Sequence, residues 1–148
     1  MIDHPFTRHF SQAENEKFAG LCKRVEFLPE TYLLREDQPC DRFYLLERGL
    51  VSIELQRPGR EVLKLQTEAG GSEIGWSWLF APYRAAFDVR AIEHCEAYAV
   101  EAAAMRKLME QDPAFGFKAM QALLHTMVER LLQARLQLLD IHSVGDNR

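Results

Sequence analysis

Across the last third of this chain, Phe117, Met120, Leu124, Met127, Leu131, Ala134, Leu138 and Ile141 follow one another at steps of 3,4,3,4,3,4,3. That spacing keeps one apolar seam on a single helix face over nearly four heptads, so it demands a long helix and something to cover the seam. Asp112 is placed to cap the first turn, and Pro113 to fill the first helical position, where a missing amide costs nothing. The helix so predicted, residues 113–141, is about 43 Å long, more than the diameter of a small domain. Leu123, Val128, Leu132 and Leu139 lie beside the seam and widen it. Two arrangements cover such a face: a second copy packed in parallel, or a helix laid wholly along its own domain. The length favours the homodimer.

Upstream the hydrophobic period changes. Ser11 and Glu14 have the spacing of a capping box, which predicts a short helix over residues 11–22. From Val25 onward Pro29, the polar run from Arg35 to Pro39, Gly49 and the Arg57-Pro58-Gly59-Arg60 turn break the chain into short pieces. Between them Phe43, Leu45, Val51, Ile53 and Leu55 alternate with Tyr44, Leu46, Ser52, Glu54 and Gln56, a period of two that belongs to strands. Residues 25–100 therefore read as an antiparallel β-roll or barrel, followed by a short helix over 101–111. The fold class is mainly β with flanking helices, and 148 residues suit a single domain, 1–148.

Charge and composition narrow the function. With 18 Lys+Arg against 22 Asp+Glu the net charge is -4, and basic residues come singly or in pairs, so DNA binding by this chain is disfavoured. Cys22, Cys40 and Cys95 are odd in number and lack CxxC spacing, which fits a reducing cytoplasm and neither a disulfide framework nor a four-thiolate metal site. No apolar stretch is long enough to span a membrane, and residues 1–10 have no signal-peptide core. The five histidines are dispersed, and no HExxH, GxSxG or P-loop spacing occurs, so no catalytic or metal-binding residues are assigned.

The segment richest in chemistry runs from Gly70 to Ala86. Its glycines let backbone amides converge, Ala85 and Ala86 leave space, and Arg84 can present a planar fork of donors to an anion. Turn glycines beside a solvated arginine would look the same. Ser77 could donate to a phosphate oxygen or cap a helix; Trp76 and Tyr83 could stack on a purine or plug an empty cup; Trp78 and Phe80 are expected to fill the roll beneath.

The order of N-terminal helix, strands, Gly49 turn, Gly75–Ala86 segment, Asp-Pro helix start and long final helix resembles the cyclic nucleotide-binding domain of the catabolite activator and kinase regulatory subunit superfamily. The resemblance covers residues 15 to about 141. It implies a jelly-roll-like, double-stranded β-helix and a C-terminal dimerisation helix. It also implies a phosphate-binding cassette, built in that family from a Gly-Glu-hydrophobic-Ala stretch, a short helix and a Pro-Arg-x-Ala-Thr stretch. On this reading Gly75 is the cassette glycine, Arg84 pairs with a cyclic phosphate, and Ala85 and Ala86 are the small residues after it. Three positions depart: Trp76 stands where a ribose-holding glutamate is expected, Phe87 where a threonine or serine is, and Tyr83 separates Pro82 from Arg84. One lost charge-assisted hydrogen bond costs ~1.5–3 kcal/mol, so the resemblance implies weak or no binding of cyclic AMP and leaves other nucleotides or small anions as ligands. The expected function is a non-catalytic, ligand-binding regulatory module with Gly75, Trp76, Ser77, Tyr83, Arg84, Ala85 and Ala86 at its site. The alternative is a degenerate fold that serves as a dimeric scaffold for an unidentified protein partner. Transcription factors of the superfamily continue into a helix-turn-helix, for which the seven residues after Ile141 are too few, so a standalone sensor or adaptor is expected.

Overall fold

The computed structural model describes the backbone of residues 1–146 and the side chains as far as Asp140. Helix α1 (Gln12–Ala19) starts at the capping box: Ser11 Oγ accepts from the Glu14 amide at 3.1 Å and Glu14 Oε1 accepts from the Ser11 amide at 2.8 Å. It stops three residues before the expected end at Cys22. Gly20 caps it, the Leu21 amide returns to the Phe18 carbonyl, and Cys22 already pairs with Val100 as the first residue of a strand.

Among the described residues eight strands follow: β1 (Cys22–Phe27), β2 (Tyr32–Leu34), β3 (Arg42–Arg48), β4 (Leu50–Leu55), β5 (Leu63–Ala69), β6 (Glu73–Ile74), β7 (Asp88–Ala91) and β8 (Cys95–Glu101). They form two four-stranded antiparallel sheets, ordered β1-β8-β3-β6 and β2-β7-β4-β5. A single residue, Gly49, carries the chain from β3 in one sheet to β4 in the other. Its φ is +108°, and a Cβ there would sit 2.6 Å from both the Cys95 sulfur and the His94 carbonyl oxygen.

Strand β3 is buried on both faces. Phe43 and Leu45 point into a core with Phe6, Phe18, Trp78 and Met105, whereas Tyr44 and Leu46 enter a second core between the sheets with Val51, Val89 and Ala97. Two-sided burial explains why β3 is apolar at successive positions.

Glu101 closes β8, so the next helix, α2 (Ala102–Gln111), begins one residue later than expected. The long helix α3 (Pro113–Asp146) starts at Asp112, whose Oδ1 accepts from the Phe115 amide at 3.2 Å. Gly116 lets α3 approach α2, since a Cβ there would lie 2.7 Å from the Met109 carbonyl oxygen.

On α3 the inward face is Phe115, Ala119 and Leu123, all buried in the core, continued by half-buried Thr126, Met127 and Arg130. Leu123 thus belongs to the domain core and does not flank the seam. The seam itself, through Phe117, Met120, Leu124, Leu131 and Leu138, faces water, and from Leu131 to Asp140 every residue is exposed. The helix therefore lies along its own domain with one face and leaves most of the heptad face exposed, Met127 being half-buried; Ile141, the last seam residue, lies outside the described side chains. Among the described residues no helix is long and apolar enough to cross a membrane.

Candidate functional site

Between β6 and β7 the chain makes a loop whose shape is set by Gly75 and Trp78. Gly75 has φ +93°, and a Cβ on it would press to 3.2 Å from Leu34 Cδ1. A 3-10 turn, Ser77–Leu79, then sinks Trp78 into the core, where its ring stacks on Phe43 with centroids 4.4 Å apart. Phe80, expected to be buried alongside, is exposed. The far end of the loop is strapped to residues 37–40: the Asp37 amide donates to the Ala85 carbonyl, the Ala85 amide to the Gln38 carbonyl and the Cys40 amide to the Tyr83 carbonyl.

This loop, the β4–β5 sheet and α3 enclose a recess of about 530 Å³, open at one side. Gly75, Trp76, Ser77, Ala85 and Ala86 line it, together with Phe87 and, from α3, Met127, Arg130, Leu131 and Leu138. Trp76, 38% exposed, forms part of the wall and leaves the space open, so it does not plug the cup. Ser77 opens the 3-10 turn as its first residue, while the cap position belongs to Trp76.

Tyr83 and Arg84 are not brought to the recess. Tyr83 turns away and carries the Arg106 guanidinium 4.0 Å from its ring centre. Arg84 is exposed, and its Nη1 donates to the Asp37 carbonyl at 2.5 Å. The cause is a tertiary pairing: Arg84 pairs with Pro39 as an antiparallel bridge, and in extended chain successive side chains take opposite faces, so buried Ala85 points inward and Arg84 outward.

The polar groups that join the recess wall to α3 were not anticipated from the sequence. Glu73 is buried in β6, and its carboxylate accepts from Thr126 Oγ1 at 2.6 and 2.9 Å. Burial pushes the Glu73 carboxyl above the usual carboxylate range, against the pull of the Thr126 hydroxyl and the Arg130 charge. Arg130 donates through Nε to Glu68 Oε1 at 3.1 Å and through Nη2 to the Glu73 carbonyl, while Ser72 Oγ donates to the other Glu68 oxygen at 3.0 Å. Gln66 Nε2 adds a bond to Gln133 Oε1 at 2.9 Å. A signal for Glu73 was present: Ser72-Glu73-Ile74-Gly75 has the small, Glu, hydrophobic, small order of the cassette stretch, three residues upstream of the register that placed Trp76 at the glutamate.

Comparison with known proteins agrees with this architecture. A family model described as the cyclic nucleotide-binding domain matches residues 24–112, more than half of the chain. No curated protein matches the sequence. Among solved structures, a candidate cyclic nucleotide-binding protein of Geobacter metallireducens GS-15 superposes with a TM-score of 0.79 at 20% identity, covering 88% of this chain and 99% of that one. A cyclic nucleotide-binding domain of Methylobacillus flagellatus KT has the same TM-score, 0.79, at 19% identity, with 88% and 74% covered. The catabolite activator protein of Thermus thermophilus gives 0.72 at 19% identity, with 94% of this chain and 63% of that one covered. At these identities the structures establish the shared fold, and the domain match adds the lineage. The chain belongs to the cyclic nucleotide-binding domain family, whose members are non-catalytic regulatory modules.

Proposed function

We propose that this chain is a ligand-sensing regulatory module of the cytoplasm, in which a small molecule enters the recess beside Gly75 and Ala86 and acts on the long helix. The observation that carries this reading is that the recess has two walls of different kinds. One is the β6–β7 loop and its sheet, and the other is α3, through Met127, Leu131 and Leu138. A ligand there touches both and stabilises one placement of the helix over others, which is the differential interaction that regulation requires. A volume of about 530 Å³ lies in the range of small-molecule sites.

Cyclic AMP is a poor occupant. To serve a cyclic phosphate Arg84 must leave the Asp37 carbonyl, and to serve a ribose Glu73 must leave Thr126. Each exchange gives up an existing hydrogen bond, ~0.5–1.5 kcal/mol apiece. The module acts as a homodimer through residues 113–141, a reading supported by the exposed heptad face.

A second reading, a scaffold without a ligand, is favoured by the contact of Arg84 with Asp37. Thermal unfolding separates the two, because preferential binding raises the melting temperature by mass action. The panel is cyclic AMP, cyclic GMP, cyclic dinucleotides, ordinary nucleotides and small apolar compounds, each with wild type and Arg84→Ala. A shift with any of them supports sensing, loss of that shift in Arg84→Ala assigns the arginine to an anion, and no shift with any leaves the scaffold.

A further inference from the structure

Among the described residues lining the recess, Arg130 is the only one with a charged side chain. Its charge is already met: Glu68 Oε1 lies 3.1 Å from Nε, the Glu73 carbonyl takes Nη2, and the Glu73 carboxyl stands close by on Thr126. A guanidinium already paired with one carboxylate and one carbonyl carries no unbalanced charge to attract a further anion. The remaining polar groups, Ser77, Gln66 and Gln137, are neutral. The rest of the wall is hydrocarbon and aromatic, with Ile53, Leu65, Ile74, Phe87 and Val89 on the sheet side. An anion placed here loses its water and finds no unpaired cation among the described residues, whereas an apolar ring gains contact with both walls.

We propose that the recess takes an uncharged, largely apolar ring compound and selects against anions. This rests on the reading of the recess as a ligand site and names the class of ligand. The compound lies between Trp76 and Phe87 on one wall and Met127 and Leu131 on the other, and it covers apolar surface of α3 that water otherwise wets.

Two fluorescent probes with the same ring pair, differing by one sulfonate, test the claim on the full chain: neutral N-phenyl-1-naphthylamine and anionic 1-anilinonaphthalene-8-sulfonate. The neutral probe should saturate at one per chain with enhanced emission and bind at least about tenfold more tightly than the sulfonate. Ala86→Trp and, separately, Ala134→Trp fill the recess from opposite walls, and each should weaken the neutral probe by at least about tenfold. Arg84→Ala should leave it unchanged. Tighter binding of the sulfonate overturns the proposal, as does emission that persists in both filled variants, which would put the probe on the exposed leucines of α3. An Arg84-dependent melting shift with a nucleotide, without saturable binding of the neutral probe, overturns the selectivity but leaves ligand sensing standing. No response to either probe or to any nucleotide overturns both.

Discussion

Glu73 holds its proton more tightly in the folded chain than in the unfolded one, because burial outweighs the help of Thr126 and Arg130. The sign of its linkage follows: its contribution to stability is full below the unfolded carboxylate value and is lost as pH rises through the higher folded value. Glu73→Gln keeps an oxygen for the Thr126 hydroxyl and has nothing to ionise. Measured by urea unfolding, the variant should match wild type near pH 4 and become the more stable of the two toward pH 8. The difference between the proteins is the quantity to follow, because Glu14 and Glu54, whose carboxyls are held below their usual range by Lys118 and Arg90, drive wild-type stability the opposite way as pH falls. A Glu73→Gln protein less stable than wild type at pH 7 would show that Arg130 outweighs burial. At this scale the sequence was half legible. Gly75, Ala85 and Ala86 announce themselves as small residues beside a turn, and they do line the recess. The direction of Arg84 is set by a bridge to Pro39, 45 positions away, and Glu73 is masked by a serine where the cassette has glycine. No local pattern encodes the first, and the pattern that marks the second is read only when a serine is allowed in the glycine's place.

At the scale of elements, the strands and helices were readable where one short-range rule decides them. The Ser11–Glu14 box, the Asp112-Pro113 start and the Gly49 turn are such cases. The end of α1 was not, because Cys22 is taken by pairing with Val100, a partner 78 positions away. Gly49→Ala tests the crossing from one sheet to the other directly: positive φ and a Cβ 2.6 Å from the His94 oxygen combine strain with a clash against backbone. A loss of more than about 1 kcal/mol in chemical denaturation is expected, and a neutral result would mean that the turn relaxes freely. The join between β6 and α3 has its own test. Thr126→Val preserves shape but leaves the buried Glu73 carboxyl without its donor, which should cost about 1–3 kcal/mol. Amide exchange in α3 around Met127 should quicken with it. Unchanged exchange there would mean that the helix is held by Ala119 and Leu123 alone.

The whole molecule is decided by what covers α3. Its inner residues Phe115, Ala119 and Leu123 are enough to dock the first half, yet Leu131, Leu132, Leu136, Leu138 and Leu139 are exposed on the second half, which meets the domain only across the recess and through Gln133. Such a contiguous row of leucines is costly in water and marks an interaction surface. The heptad order of Phe117, Met120, Leu124, Leu131 and Leu138 suits a second identical helix running parallel. Leu131 also lines the recess, so a charge there would confuse assembly with ligand binding. Leu124 is 64% exposed and belongs to neither the core nor the recess, which makes it the cleaner probe. In analytical ultracentrifugation the wild-type chain should sediment as a dimer and Leu124→Glu as a folded monomer, with the neutral naphthylamine still bound at one per chain. A wild-type monomer rejects the pairing, and a Leu124→Glu dimer moves the interface off the seam. Loss of the probe together with the dimer would instead mean that the recess is complete only when the partner helix stands beside it.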